Sequence, residues 1–115
     1  MAYHMFIPKS GSENEMLLDL YLGSAYTIAL YWTSIAHKLN LPIVSSLIDR
    51  AESEEGCVLS GRELIEFKEE LVSFGHFWEK EALISGAPEY LLENIRKATL
   101  AIDEAVKLGD SLYFG

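Results

Sequence analysis

Apolar residues recur along most of this chain at spacings of three and four, the repeat that lines one side of an α-helix. Turned at about 100° per residue, Leu17, Leu18, Tyr21, Leu22, Ala25, Ile28, Ala29, Trp32, Ile35, Ala36 and Leu39 share one wide arc. This predicts a helix over about 13–39 with that arc as its core face. Ser12 and Glu15 have the spacing of a capping box at its start. Asn40-Leu41-Pro42 breaks the pattern, and Pro42 suits the first turn of a second helix running to about Glu54. Ser60-Gly61-Arg62-Glu63 has the capping-box spacing again and opens a third helix over 61–84, with Leu64, Phe67, Leu71, Phe74, Gly75 and Trp78 on one side. Gly75 there is unfavourable by about 1 kcal/mol unless a neighbouring backbone comes close. Pro88 starts a fourth helix over 88–108, whose stripe is Leu91, Ile95, Ala98, Ile102, Ala105 and Val106.

The expected fold is therefore mainly α: an antiparallel four-helix bundle in one helical domain over 1–115. Residues 1–12 form an N-terminal arm in this reading and 110–115 a C-terminal tail. The short apolar pieces at 3–7, 57–59 and 111–114 are candidates for a small β element.

No charged residue occurs from Leu20 to Ala36, seventeen positions. A membrane-spanning helix needs about 20 predominantly apolar residues. This run is shorter, contains Gly23, Ser24, Thr27, Thr33 and Ser34, and lacks a flanking basic cluster. A membrane span is not expected. Behind the core arc lies a second face made of Leu20, Gly23, Tyr26, Thr27, Leu30, Tyr31 and Ser34. Three other helices in a simple bundle cover about one arc of the first, so this face is surplus. Exposed apolar patches of this kind mark contact sites, and a twofold homodimer is the commonest way to cover one; cover from within the chain, by the second helix, the tail or the N-terminal segment, is the alternative.

Charge narrows the partners. The chain has 18 acidic and 9 basic residues, a formal net charge of -9. That balance opposes nucleic-acid binding, which needs a positive footprint. It suits steering toward a basic protein, with Glu52, Glu54 and Glu55 as the acidic partner surface. An immunity-type inhibitor of a basic toxin is one role of that kind. The lone cysteine, Cys57, excludes an internal disulfide, and the first residues lack a signal-peptide pattern, so a cytoplasmic location is expected.

No reaction is indicated. The three histidines, His4, His37 and His76, fall in no zinc-type spacing, and no cofactor or metal is expected. Phosphate-binding glycine loops and a nucleophile elbow are absent from the sequence. Acidic pairs such as Glu69-Glu70 and Asp103-Glu104 fall on solvated helix faces. The reading is a non-enzymatic interaction protein. The alternative is a helical enzyme or a small-ligand or metal binder, with a pocket between the first and third helices lined by Tyr21, Trp32, Phe74, His76 and Trp78.

Overall fold

The uncharged run is divided between a strand and a helix, and that division sets the architecture. A computed structural model of the chain describes residues 2–11, 14–85 and 89–115, with the side chains of 82–85 outside the description. Ser12 and Pro88, the expected helix starts, lie outside the described residues. Strand β1 spans Ala2–Pro8 and strand β2 spans Met16–Ser24. They pair antiparallel, with Met5 opposite Leu20 and Ile7 opposite Leu18. Side chains on a strand alternate faces. Tyr3, Met5 and Ile7 are buried against the helices, together with Leu22 and the half-buried Leu18 and Leu20. His4, Phe6, Asp19 and Tyr21 take the opposite face.

At Gly23 the strand turns into a helix. The pairing skips a residue between Tyr3 and His4, which leaves Leu22 as the extra residue of a bulge. Gly23 has φ 143, a conformation that favours glycine. Ser24 then caps the helix in the manner typical of serine, accepting from the Thr27 N–H at 3.1 Å. The first helix, α1, is one continuous unit made of Ala25–Thr27, a π-helical stretch Ile28–Thr33 and Ser34–Leu39. The Ser34 N–H reaches the carbonyl of Ala29, the i→i−5 bond of π geometry. Asn40, at φ 57, closes α1 in the left-handed conformation.

Helix α2 is Pro42–Glu52, strand β3 is Cys57–Leu59, and helix α3 is Arg62–Ser85. Helix α4 is Tyr90–Leu108 and strand β4 is Leu112–Phe114. The sheet order is β2-β1-β4-β3, antiparallel throughout. The expected four-helix bundle and its all-helical class are thus corrected to an α+β fold: four helices packed with a four-stranded antiparallel sheet. The helix expected over 13–39 begins at Ala25. The arm expected over 1–12 carries β1, and the tail carries β4 between β1 and β3. The physical cause is Gly23-Ser24, a bulge glycine followed by an N-cap, which ends one periodicity and starts another.

One core joins the two layers. Tyr3 stacks on Phe114 at 4.8 Å between ring centroids, and Trp32 meets Phe74 at 5.3 Å. Asn94 of α4, buried, donates from Nδ2 to the carbonyl of Leu22 at 2.8 Å and so satisfies an acceptor at the bulge. The Glu70 carboxylate of α3 accepts from the N–H groups of Ile43 (3.0 Å) and Val44 (2.9 Å), capping α2 from across the structure. The Glu63 carboxylate, expected to close a capping box, instead receives both ends of the Arg50 guanidinium, which also donates to the Val58 carbonyl.

Candidate functional site

The strand-to-helix limb, β2 followed by α1, holds all of the residues expected at an interface, and the bulge separates them into two groups. Leu20 lies on β2, half-buried toward the core, and Gly23 is buried in the bulge. On α1, Thr27 is half-buried and receives a hydrogen bond from the Ser24 hydroxyl at 2.9 Å. Tyr31 packs edge-on against Trp78 at 5.8 Å. Tyr26, Leu30 and Ser34, four residues apart, form the exposed stripe, with Tyr26 74% exposed and Leu30 44%.

Sequence periodicity missed the strand's share of this surface. Met16, Leu17 and Tyr21 are exposed by 44–49%. The signal that could have found them is the alternation Leu18-Asp19-Leu20-Tyr21-Leu22, in which the one charge falls on the face that the strand turns outward. On that outer face His4 Nδ1 lies 2.8 Å from Asp19 Oδ1, and the His4 ring meets Tyr21 edge-on at 5.5 Å. Phe6 stacks on Tyr113 alongside, at 5.5 Å.

Backbone direction along β2 follows from the far side of β1. The N–H of His4 donates to the Gly115 carbonyl, and the Gly115 N–H donates back to His4, both at 3.0 Å. Even-numbered β1 residues therefore bond toward β4, and Met5 and Ile7 bond toward Leu20 and Leu18. Consequently the N–H and C=O groups of Asp19 and Tyr21 point away from the sheet, at its outer edge. A second register shift, between Ile7 and Pro8, makes Leu17 an extra residue, so the regular stretch of this edge is Leu18–Tyr21.

The residues expected to line a pocket between the first and third helices are placed differently. Trp32, Phe74 and Trp78 pack against one another, with Phe74 and Trp78 at 6.4 Å, and are buried. Tyr21 stands on the sheet. There it borders an open groove of about 370 Å³ shared with Thr27, Tyr90, Asn94 and Lys97. His76 is exposed on α3, in a shallower groove of about 210 Å³ with Val72, Glu79 and Arg96. The structure does not bring Tyr21 and His76 to the aromatic cluster. Among the described residues, no group of three or more His, Cys, Asp or Glu side chains is placed to hold a metal.

Glu52, Glu54 and Glu55 are all exposed, at the end of α2 and in the turn after it. Cys57 is buried in β3, where burial pushes its thiol up to about 11 against the opposing influence of Arg50. A thiol so placed is inert toward nucleophilic chemistry. No helix among the described residues is long and apolar enough to cross a membrane. Comparison with family models, with curated proteins and with solved structures finds no match for this chain.

Proposed function

We propose that this chain is a non-catalytic interaction protein that acts as a homodimer joined through the β2–α1 limb. The observation that carries this reading is the contrast between that limb and the rest of the surface. From Met16 to Ala36 there is one charged residue, Asp19, in a chain of net charge -9. Five large apolar side chains of the same segment stand exposed: Met16, Leu17, Tyr21, Tyr26 and Leu30. Two copies carrying this charge repel each other over most orientations, and least where the limb of one meets the limb of the other. Tyrosine suits such a contact, because it offers apolar area and a polar tip. The non-catalytic reading is supported by the mutual packing of Trp32, Phe74 and Trp78, which fill the space of the candidate pocket. The exposed Glu52, Glu54 and Glu55 stay available to a basic protein partner. A buried free thiol suits a reducing compartment such as the cytoplasm.

Light scattering or sedimentation at tens of micromolar tests the reading. The expected mass is near twice 12.9 kDa, and it should fall toward one chain when Tyr26 and Leu30 are both changed to Glu. A wild-type chain that stays monomeric at these concentrations overturns it.

A further inference from the structure

We propose that the outer edge of β2 pairs with β2 of a second copy, antiparallel about a twofold axis at Leu20, so that one sheet runs through both copies. This rests on the homodimer reading and names the contact within it.

The edge is built to accept a strand. Asp19 and Tyr21 direct their N–H and C=O groups outward, and no hydrogen bond to these groups is formed from elsewhere among the described residues. Edge strands are commonly guarded by lysine, by proline or by a charge that points inward. Leu18–Tyr21 carries none of these; its single charge, Asp19, lies on the outer face and is engaged by His4. The bulges at Leu17 and Leu22, a further kind of guard, bound the stretch and confine pairing to these four residues. The opposite edge of the sheet, β3, is only three residues long.

A second copy fits because its register can be chosen by elimination. In an antiparallel pair, outward-bonding residues face outward-bonding residues. If the axis passed through Asp19, the two Asp19 carboxylates would stand directly opposite each other, which is destabilising between like charges. Only one regular pair of residues would then exchange bonds. An axis at Leu18 would require the irregular Leu17 to pair, and an axis at Tyr21 would set Asp19 against Gly23, beyond the bulge at Leu22. With the axis at Leu20, Asp19 of each copy faces Tyr21 of the other. Both regular outward residues then exchange both of their backbone bonds. On the inner face, Leu20 meets Leu20, which covers the part of each that its own copy leaves exposed, and the half-buried Leu18 lies opposite the fully buried Leu22.

Amide hydrogen exchange read by NMR tests this without altering the chain. In the associated protein the amides of Asp19 and Tyr21 should exchange at least about tenfold more slowly than in dilute, monomeric protein. The amide of Ser34, already bonded to the Ala29 carbonyl within α1, should change little. A dimer in which Asp19 and Tyr21 keep their dilute rates overturns the edge pairing and leaves the homodimer reading standing, whereas a persistent monomer overturns both. Single substitutions fix the register. Leu20→Cys should give a covalent dimer on mild oxidation, because residues facing each other in a non-hydrogen-bonded pair lie within disulfide reach. Asp19→Cys should not, its nearest copy being offset by two residues. The reverse result, cross-linking at 19 and none at 20, overturns the register. Buried Cys57 does not interfere with this readout.

Discussion

Glu70 shows how much depends on one side chain far from its target. Helix α2 begins at Pro42 with no side-chain cap of its own. Its first free N–H groups, on Ile43 and Val44, are met instead by a carboxylate from α3, 26 and 27 residues away in sequence. Sequence spacing placed Glu69-Glu70 on a solvated face, and no local signal marks the difference, because the partner is set by tertiary packing. Replacing Glu70 by Ala should cost about 1–2 kcal/mol, the range for a lost cap and an unpaired amide. The pH dependence has a definite sign. Burial raises the Glu70 carboxyl above the ordinary carboxylate value, and the two backbone bonds offset this only in part. The folded state therefore holds the proton to higher pH than the unfolded chain. The stability that the protonated group contributes is complete below the unfolded value of about 4.3 and is lost as pH rises through the folded value. Urea midpoints of wild type and Glu70→Gln, compared across this window, should show the wild-type advantage shrinking as pH rises.

Among the elements, the helices α2, α3 and α4 were legible because their apolar stripes are long and their starts carry Pro42, the Ser60–Glu63 run and, at the far end of α4, Gly109. The stripes were not wholly right: Val106 is exposed, and the buried polar residue of α4 is Asn94. The segment before Ala25 was misread because two periods overlap there. Leu17, Leu18, Tyr21 and Leu22 satisfy a helical arc, while Leu18, Leu20 and Leu22 satisfy a strand. Asp19 and the Gly23-Ser24 corner decide for the strand. The exposed apolar residues of the limb were correspondingly legible on α1 and illegible on β2, where the exposed set Met16, Leu17 and Tyr21 emerges only once the segment is extended.

Two glycines in these elements should respond in opposite directions. Gly23 has φ 143, and a Cβ there would meet Thr27 and Ile28 at ordinary contact distances of 3.5–3.7 Å. The penalty of Gly23→Ala is therefore conformational, about 1–2 kcal/mol. Gly75 lies within α3, and its nearest neighbour to an added Cβ is the Ile95 Cγ2 at 3.8 Å. A close backbone neighbour, the expected reason for glycine there, is not what that space contains. Gly75→Ala should raise stability by about 0.5–1 kcal/mol through helix propensity. Urea unfolding of the two variants reads both signs in one experiment.

At the scale of the whole molecule, charge is the dominant fact. The chain carries -9 and is elongated, with extents of 46 × 27 × 22 Å. Pairing two copies brings together like charges that lie mostly outside the limb, and salt screens that repulsion over about 10 Å at 0.1 M. Self-association should therefore tighten as sodium chloride is raised from about 0.05 to 0.5 M, a range over which the screening length falls severalfold. The same titration should weaken any complex formed between Glu52, Glu54 and Glu55 and a basic protein. Sedimentation at several salt concentrations distinguishes an apolar contact between copies, which strengthens, from a charge-steered one, which fades.

The position of β4 also orders events in time. It lies at the heart of the sheet, between β1 and β3, and its neighbour β1 comes from the opposite end of the described chain. The β1–β2 hairpin can form early, since only a short loop separates its strands. Its inner edge must then wait, unpaired, until Leu112–Phe114 arrives after more than a hundred residues of intervening chain. Contacts of such long sequence separation slow folding, because loop closure precedes the reward. During that interval both edges of the hairpin are open at once. One is the edge that the native protein closes with its own last strand, and the other is the edge proposed to meet a second copy. Folding and the proposed pairing of copies therefore draw on opposite edges of the same hairpin.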